Sequence, residues 1–271
     1  MDVGVLGCAG RMGRAVMAEV LAGSGPRLVG GCDRPGHEAL GRDLGVLAGR
    51  EPTGVPAGDD ATALIAAADV VIEFSTPAAS LGHARLCAEH GTGHVIGTTG
   101  FEDEQTEELR RLAERTAILW APNMSLGVNL LLALAERVGS TLGPEAFDAE
   151  IVEMHHRNKV DAPSGTALAL GRAVARGRGV AFESVARLSR EGLTGARPAG
   201  EIGFATLRGG DVVGEHTVVF AGPGERIELT HRATDRHIFA RGSVRAAQWL
   251  AGRPAGLYGM ADVLELDAGD A

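Results

Sequence analysis

Short apolar runs alternate with amphipathic helical stretches through the first half of the chain. The runs that predict strands are Val3 to Leu6, Leu28 to Cys32, Val70 to Phe74, Val95 to Ile96 and Ile118 to Trp120. The signals that predict helices between them are Met12, Val16 and Val20 at helical spacing, the helix start at Thr76-Pro77, and the charged stretch Glu102 to Arg115. A period that switches between two and about 3.6 is typical of βαβ units around a parallel sheet.

The pattern changes around Pro122. Leu126 to Val138 predicts an apolar helix, and from Phe147 onward strand-like runs are separated by glycines instead of by helices. Three later runs alternate well enough to predict an antiparallel set: Ile202 to Leu207, Val212 to Phe220 and Arg226 to His231, joined by turns at Gly209-Gly210-Asp211 and Gly222-Pro223-Gly224. Ile238 to Leu250 returns to helical spacing and is expected to close onto the first domain.

Together these patterns predict an α/β protein of two domains. A Rossmann-type parallel-sheet domain is expected over residues 1–125 and 236–271, and a second, α+β domain over residues 126–235. At 271 residues the chain exceeds the size at which one hydrophobic core usually keeps growing, which favours this division. The composition, 45% hydrophobic and 23% charged, is that of an ordinary globular protein.

Charge and cysteine content narrow the range of partners. A net charge of -9 supplies no overall positive field for a polyphosphate, so small-molecule partners are expected rather than nucleic acid. The three cysteines, Cys8, Cys32 and Cys87, are scattered without CxxC spacing, which predicts neither a disulfide framework nor a zinc site. With no basic leader and no long apolar span in the sequence, a cytoplasmic protein without membrane insertion is expected.

A glycine-rich turn follows the first predicted strand and opens a helix. It reads Gly7-Cys8-Ala9-Gly10-Arg11-Met12-Gly13. Glycines in this setting let a backbone approach a pyrophosphate at a helix N-terminus, although GxxGxxG alone is also compatible with an ordinary turn. Asp33, about 20 residues further on at the end of the second strand, stands where a carboxylate bonds the adenosine ribose. Arg34 beside it would stack on adenine or meet a 2′-phosphate, so the sequence predicts tolerance of both NADH and NADPH.

Three further polar turns come just past predicted strand ends. They are Phe74-Ser75-Thr76-Pro77, Gly97-Thr98-Thr99-Gly100 and Ala121-Pro122-Asn123. Each by itself is compatible with an ordinary turn, because Gly, Thr, Asn and Pro are common turn residues. Ligands bind at the carboxyl ends of strands in open α/β sheets, so the three together favour a nucleotide site.

The stretch EIVEMHHRNKVDAPSGT, Glu150 to Thr166, carries the candidate chemistry. A histidine passes a proton at neutral pH, which favours His155 and His156 as acid-base groups, and Lys159 adds a positive charge. Ser164-Gly165-Thr166 opens a helix, whose N–H groups favour a substrate carboxylate. The alternative is that the histidines are satisfied strand-end residues, that Lys159 is solvated and that Ser164 only caps the helix. A metal site is disfavoured because adjacent strand residues point to opposite faces and no further ligand completes a set.

Motifs along nearly the whole chain resemble the 4-hydroxy-tetrahydrodipicolinate reductase family. They are GCAGRMG, VIGTTGF, APNMSLGVN, EMHHRNKVDAPSGTAL, SREG, GEIGF, RGGDVVGEHTV and GERIELTHRATDR, in that order. The resemblance implies that His155 donates or accepts a proton, that Lys159 is a companion proton donor, and that His156, Gly165 and Thr166 contact the substrate. It implies cofactor contacts at Gly7 to Met12, Asp33 and Arg34, Gly97 to Thr99, and Ala121, Pro122, Asn123 and Met124. The family often has glutamate in place of Asp33, and some members have phenylalanine in place of Met124.

The resemblance also implies a reaction and an assembly. A 4-hydroxy cyclic imine dicarboxylate loses water and is reduced by NADH or NADPH to tetrahydrodipicolinate, a step of lysine biosynthesis through diaminopimelate. The second domain is expected to carry an open mixed sheet that builds a homotetramer. Independently of the resemblance, the change of composition makes Leu126 to Val138 a candidate hinge for closing the domains. Two rival functions remain: a two-domain dehydrogenase acting on an amino acid, and a catalytically silent NAD(H) sensor. The histidine-lysine loop followed by Ser-Gly-Thr argues against both.

Overall fold

A computed structural model describes residues 1–266 as two compact units. The first unit comprises Met1–Ser125 and the segment that begins at His237, and the second comprises Leu126–Arg236. Residues 267–271, the end of the predicted 236–271 segment, lie outside the described residues.

The first unit is built on a parallel sheet of six strands. In the order in which they lie side by side, the strands are β2 (Arg27–Cys32), β1 (Asp2–Leu6), β3 (Val70–Glu73), β4 (Gly93–Ile96), β5 (Ala117–Trp120) and β11 (Gly256–Tyr258). The five strands predicted from apolar runs are confirmed to within two residues at each end. The sixth strand, β11, was not predicted, because three residues carry no periodic signal. The order reverses between β1 and β3, which is the switch point at which Rossmann-type sheets bind ligands.

Helices connect these strands. They are α1 (Arg11–Ala22), α2 (Leu44–Leu47), α3 (Ala61–Ala67), α4 (Pro77–His90), α5 (Asp103–Ala113), α9 (His237–Leu250) and α10 (Met260–Val263). The start of α4 follows the sequence signal, because the Thr76 side chain accepts a hydrogen bond from the Ala79 N–H and Pro77 occupies the first turn. The helix α9 packs on α1, as expected for a segment that returns to this sheet.

The second unit places helices on one face of a mixed sheet of five strands. Its helices are α6 (Leu126–Thr141), α7 (Gly165–Gly177) and α8 (Phe182–Val185). Its strands, in spatial order, are β10 (Glu225–Ala233), β9 (Gly214–Gly222), β6 (Asp148–His155), β8 (Ile202–Arg208) and β7 (Ala186–Arg187). Ile151, Val218 and Phe220 are buried in the core with residues of α6 and α7, whereas the opposite sheet face carries the half-buried side chains of Val152, Met154 and Val219.

The predicted antiparallel set is correct for one pair of strands and wrong for another. β9 and β10 form an antiparallel hairpin through Gly222-Pro223-Gly224, as predicted. β8 does not pair with β9; it runs parallel to β6, which separates the two. Alternation reports that one face of a strand is buried but does not identify its neighbour, and this is why the sequence pattern failed here.

The connection between β8 and β9 therefore crosses the end of β6 instead of forming a hairpin turn. Three backbone hydrogen bonds hold it there: the Gly209 N–H donates to the His155 carbonyl at 2.9 Å, the His156 N–H to the Val212 carbonyl at 2.7 Å, and the Arg157 N–H to the Gly210 carbonyl at 3.2 Å. The two histidines of the predicted site are consequently fixed by backbone contacts on both sides.

Candidate functional site

A crevice of about 620 Å³ opens in the first unit at the carboxyl ends of β1, β2 and β3. Gly7, Gly10, Asp33 and Arg34, all predicted from the sequence, line it. The segment Phe74–Thr76 forms the opposite wall. The structure therefore brings the glycine turn, the acidic residue and one predicted polar loop together at the switch point of the sheet.

Two glycines of the turn are required by geometry. Gly7 has a φ of 69°, in the left-handed region that side chains disfavour. A Cβ on Gly13 would lie 2.2 Å from the Gly7 carbonyl oxygen, so only glycine lets α1 start this close to the turn. No side chain caps α1 at Gly10, which leaves the N–H groups of its first turn open to an anion. Cys8 and Ala9 are buried, and burial raises the pKa of the Cys8 thiol to about 12, so this cysteine fills space.

Asp33 is held on the crevice wall by backbone groups. One carboxylate oxygen accepts a hydrogen bond from the Ala9 N–H and the other from the Arg34 N–H, both at 2.9 Å. A carboxylate has about four acceptor sites, so capacity remains for ribose hydroxyls. The Arg34 residue is exposed beside it. His37 and Asp59 also line the crevice; the sequence analysis missed them because they lie in the loop-rich connection between β2 and α3.

The remaining predicted cofactor residues follow β4 and β5 at the same edge of the sheet. Gly97 packs against the Phe74 ring, where a Cβ would lie 2.1 Å from a ring carbon. Thr98 is buried while Thr99 is exposed. Ala121 and Met124 are buried, Pro122 is exposed, and the Asn123 side-chain oxygen accepts a hydrogen bond from the Ser125 N–H at 2.9 Å. With the uncapped start of α1, this edge fits a dinucleotide.

In the second unit, His155 and Glu153 form a buried pair on β6. Two residues apart on a strand, they face the same side of the sheet. His155 Nδ1 lies 2.6 Å from Glu153 Oε2, an arrangement that assigns the Nδ1 proton to this bond and leaves Nε2 for proton exchange. The sequence prediction included His155 but missed Glu153, although the spacing Glu-x-His within a strand was a usable signal.

Arg208 links this pair to the lysine loop. On β8 it lies in register with His155, and its guanidinium contacts both oxygens of Glu153 at 2.8 and 3.0 Å. It also donates to the Asp161 carbonyl at 2.6 Å, while the Asp161 carboxylate pairs with Lys159 Nζ at 2.8 Å. The two predicted proton-transfer residues, His155 and Lys159, therefore belong to one continuous charged network.

Ser164 and His216 support the start of α7. The Ser164 hydroxyl accepts from the Ala167 N–H at 3.2 Å and lies 3.0 Å from His216 Nε2, and the Ser164 N–H donates to Glu153. Ser164 is thus a buried helix cap, and a direct substrate contact by its side chain stays a prediction. Gly165 is exposed, and a Cβ there would meet no atom within 4 Å, so the helix start is open.

His156 lies just beyond β6, on the other side of the chain from His155. Its Nε2 lies 3.4 Å from Arg236 Nη2, and its Nδ1 is buried without a hydrogen-bond partner in residues 1–266. A buried ring nitrogen without a partner costs free energy unless a ligand satisfies it. This agrees with the substrate contact that the resemblance implies, although the role itself stays a prediction.

Burial and charge shift the acid-base properties of this network. Burial lowers the pKa of His155, and the hydrogen bond to Glu153 opposes that shift. Burial raises the pKa of Glu153, but hydrogen bonds from Arg208 and His155 outweigh it, so the carboxyl pKa is lower than usual. Burial, with the nearby His155, lowers the pKa of His216 to about 4, which keeps that ring neutral near pH 7.

The low pKa of His216 predicts a specific dependence of stability on pH. With a pKa of about 4 in the folded chain and 6.5 as its ordinary value, the unfolded chain binds the proton more tightly, so stability falls as pH decreases from 6.5 towards 4. Between pH 7.5 and pH 5 this residue is expected to remove about 2 kcal/mol from the free energy of unfolding. Urea denaturation of wild type and His216→Asn at both pH values measures it. An identical pH dependence in the two proteins would contradict the assignment.

Residues 1–266 contain neither a metal-binding cluster nor a membrane-spanning helix. Within that range no group of three or more His, Cys, Asp or Glu side chains is arranged to hold a metal ion. None of the helices described there is both long enough and apolar enough to cross a bilayer.

The parallel sheet and the glycine-turn crevice at its switch point define the class of the protein as a Rossmann-type dinucleotide-binding protein. An amine dehydrogenase from Mycobacterium smegmatis shares the fold, with a TM-score of 0.59 over 94% of this chain and 93% of that one, at 15% identity. Likeness at that identity concerns the fold alone.

The chain belongs to the dihydrodipicolinate reductase family. Residues 1–124 match the family's N-terminal part and residues 127–264 its C-terminal part. It is 54% identical over 262 residues to a 4-hydroxy-tetrahydrodipicolinate reductase of Afipia carboxidovorans, covering 97% of this chain and 96% of the relative. It is 55% identical over 264 residues to that of Parvibaculum lavamentivorans, covering 97% of each. A solved dipicolinate-bound dihydrodipicolinate reductase from Paenisporosarcina sp. TG-14 superposes with a TM-score of 0.76, at 28% identity and coverage of 97% and 98%. The family prediction is confirmed, and neither rival class is supported.

Proposed function

We propose that this chain reduces 4-hydroxy-tetrahydrodipicolinate to tetrahydrodipicolinate with NADH or NADPH, in lysine biosynthesis through diaminopimelate. The observation that carries the proposal is the charged network of the second unit, in which His155, Glu153, Arg208 and Lys159 are joined beside an open helix start. A silent nucleotide sensor has no need of such a network. In the net reaction the substrate gains a hydride and a proton and loses water.

The proton chemistry is assigned to this chain's own residues. A bound nicotinamide supplies the hydride. His155 exchanges a proton through Nε2, because Glu153 holds Nδ1 at 2.6 Å and fixes the ring. Arg208 keeps Glu153 ionised, and an ionised Glu153 stabilises the imidazolium form of His155. Lys159 is the companion donor.

The substrate carboxylates are assigned to positive groups at the same place. The start of α7 at Gly165 and Thr166 presents backbone N–H groups, and Lys159 and His156 supply further donors. Lys159 is the only lysine among 26 Lys and Arg residues. An amine can lose its proton in a way that a guanidinium cannot, which favours proton donation at this one position.

The direct test is an assay with the product of the upstream aldolase condensation. Freshly prepared 4-hydroxy-tetrahydrodipicolinate should cause oxidation of NADH, or of NADPH, followed at 340 nm. The supporting control is aspartate or diaminopimelate, neither of which should change the signal. If the protein bound NADH or NADPH but did not oxidise either in the presence of the imine, the proposed reductase activity would be contradicted. Only nucleotide binding would then remain.

Asp33 is expected to matter more for one cofactor than for the other. Asp33→Ala should weaken the binding of NADH more than the binding of NADPH, because only NADH has an adenosine ribose with both hydroxyls available to a carboxylate. The Ala9 and Arg34 N–H groups hold the Asp33 carboxylate, and Asp33 and Arg34 both line the crevice. Fluorescence titration with each nucleotide measures the effect, and equal losses for the two would show that Asp33 does not read the ribose.

We also propose a cytoplasmic homotetramer assembled through the open face of the mixed sheet. Three partly exposed apolar residues, Val152, Met154 and Val219, share that face, and Leu207 on β8 is about half exposed. All three cysteines are buried free thiols, as a reducing compartment permits. Native mass spectrometry tests the assembly and cell fractionation tests the location. Domain closure about Leu126 to Val138 stays a prediction, which structures with and without ligands would test.

A further inference from the structure

Glu73 is a fully buried carboxylate at the end of β3, directly beneath the predicted cofactor loops. Its Oε1 accepts hydrogen bonds from the Ser75 hydroxyl, from the Ser80 hydroxyl at 3.0 Å and from His83 Nδ1 at 3.1 Å. Its Oε2 receives His94 Nε2 at 2.8 Å. An uncompensated charge at full burial would be highly unfavourable, so four donors on one carboxylate indicate that it is held ionised.

The ionised carboxylate fixes the direction of the hydrogen bonds around it. Ser80 has one hydroxyl proton, and Glu73 only accepts, so the proton of Ser80 goes to Glu73. Thr98 Oγ1 lies 2.9 Å from Ser80 Oγ and must then donate to it. Thr98 Oγ1 in turn accepts the Ser75 N–H at 2.9 Å. The network thus runs from the loop after β3, through the Thr98 hydroxyl, to the carboxylate.

The hydrogen bonds of this network use the side-chain hydroxyl of Thr98, which is one of the predicted cofactor residues. Thr98 is buried, its hydroxyl bonds to Ser80 and Ser75, and its carbonyl accepts the Trp120 Nε1–H at 3.1 Å. The Thr98 hydroxyl proton is therefore committed to this network and is not available to a ligand, whereas the neighbouring Thr99 is exposed. Hydrogen bonds therefore connect the loops after β3 and β4 to the buried Glu73 carboxylate. His83, which also bonds to Glu73, lines the crevice.

We propose that Glu73 is a positioning residue for the nicotinamide cofactor, an ionised anchor that holds Ser75 and, through Ser80, Thr98 in their binding geometry. The inference rests on the proposed function, because it assumes that a nicotinamide nucleotide binds at this edge. Neither Glu73 nor Ser80 is exposed, so both act on a ligand only through the loops they hold.

The test compares Glu73→Gln, Ser80→Ala and the control Glu108→Gln, which removes the carboxylate of an α5 residue from its surface pair with Arg85 of α4. Glu73→Gln replaces one carboxylate oxygen by an NH₂ group, which would face groups that themselves donate hydrogen bonds. The substitution is expected to raise the Kd for NADH about tenfold. Ser80→Ala removes only the link to Thr98 and is expected to raise it about threefold. Both variants should leave kcat at saturation and KM for the imine substrate unchanged, a split that general destabilisation would not produce. Glu108→Gln should behave as wild type.

The outcomes separate this inference from the function on which it rests. If Glu73→Gln does not fold, Ser80→Ala decides, since a buried serine can be replaced by alanine with little change of shape. Folded variants that bind NADH as wild type does would overturn the positioning role alone. A wild-type protein that binds neither NADH nor NADPH would overturn the proposed function and this inference with it.

Discussion

His155→Ala is expected to lower kcat by about 10²-fold or more while leaving NADH affinity nearly unchanged. In the proposed mechanism the His155 ring exchanges the proton, and Glu153 holds that ring at 2.6 Å, so alanine would remove a preorganised acid-base group. The crevice that fits the nucleotide is built from residues of the first unit, which the substitution does not touch. Steady-state kinetics at saturating NADH, with a separate fluorescence titration of NADH, measure the two quantities.

The matched control is His90→Ala, which replaces an exposed histidine at the end of α4. It should retain wild-type kcat. If His155→Ala lost NADH binding in proportion to turnover, the division of labour between the two units would be wrong.

Lys159→Ala is likewise expected to lower turnover by about 10²-fold or more with little change in NADH affinity. Lys159→Arg separates the two roles of the ammonium group. Arginine keeps the positive charge opposite Asp161. The KM of Lys159→Arg for the dicarboxylate substrate should therefore be much closer to the wild-type value than that of Lys159→Ala. Arginine does not readily give up a proton, so kcat should stay low. An arginine variant with wild-type kcat would make Lys159 a contact for a carboxylate and not a proton donor.

Five of the six strands of the first unit and its four longest helices could be predicted from sequence, whereas β11 and the short helices α2, α3 and α10 could not. Its strands are buried on both faces, as β3 and β4 show, and mostly apolar runs between helix signals are easily recognised. The second unit was predicted less well. β8 is buried only over its first three residues, and its pairing with β6 depends on contacts between residues about 50 positions apart, which no local pattern encodes.

The same distinction applies to the site. His155, His156 and Lys159 could be proposed from the sequence because they stand together in one short segment with distinctive chemistry. Arg208 and His216 were missed because they reach His155 only through strand register, from β8 and β9. Glu73 was missed because a single acid inside an apolar strand resembles a strand boundary until its four donors are seen.

The connection that crosses the end of β6 constrains how this chain can be altered. Since residues 209–212 exchange backbone hydrogen bonds with His155, His156 and Arg157, a change in the length of this connection is expected to displace both imidazoles. Inserting or deleting one residue there is expected to impair the proposed proton transfer before it unfolds the sheet. The hairpin tip at Gly222–Gly224 makes no such contact with the histidine segment, so an affinity tag or a fluorescent label belongs there.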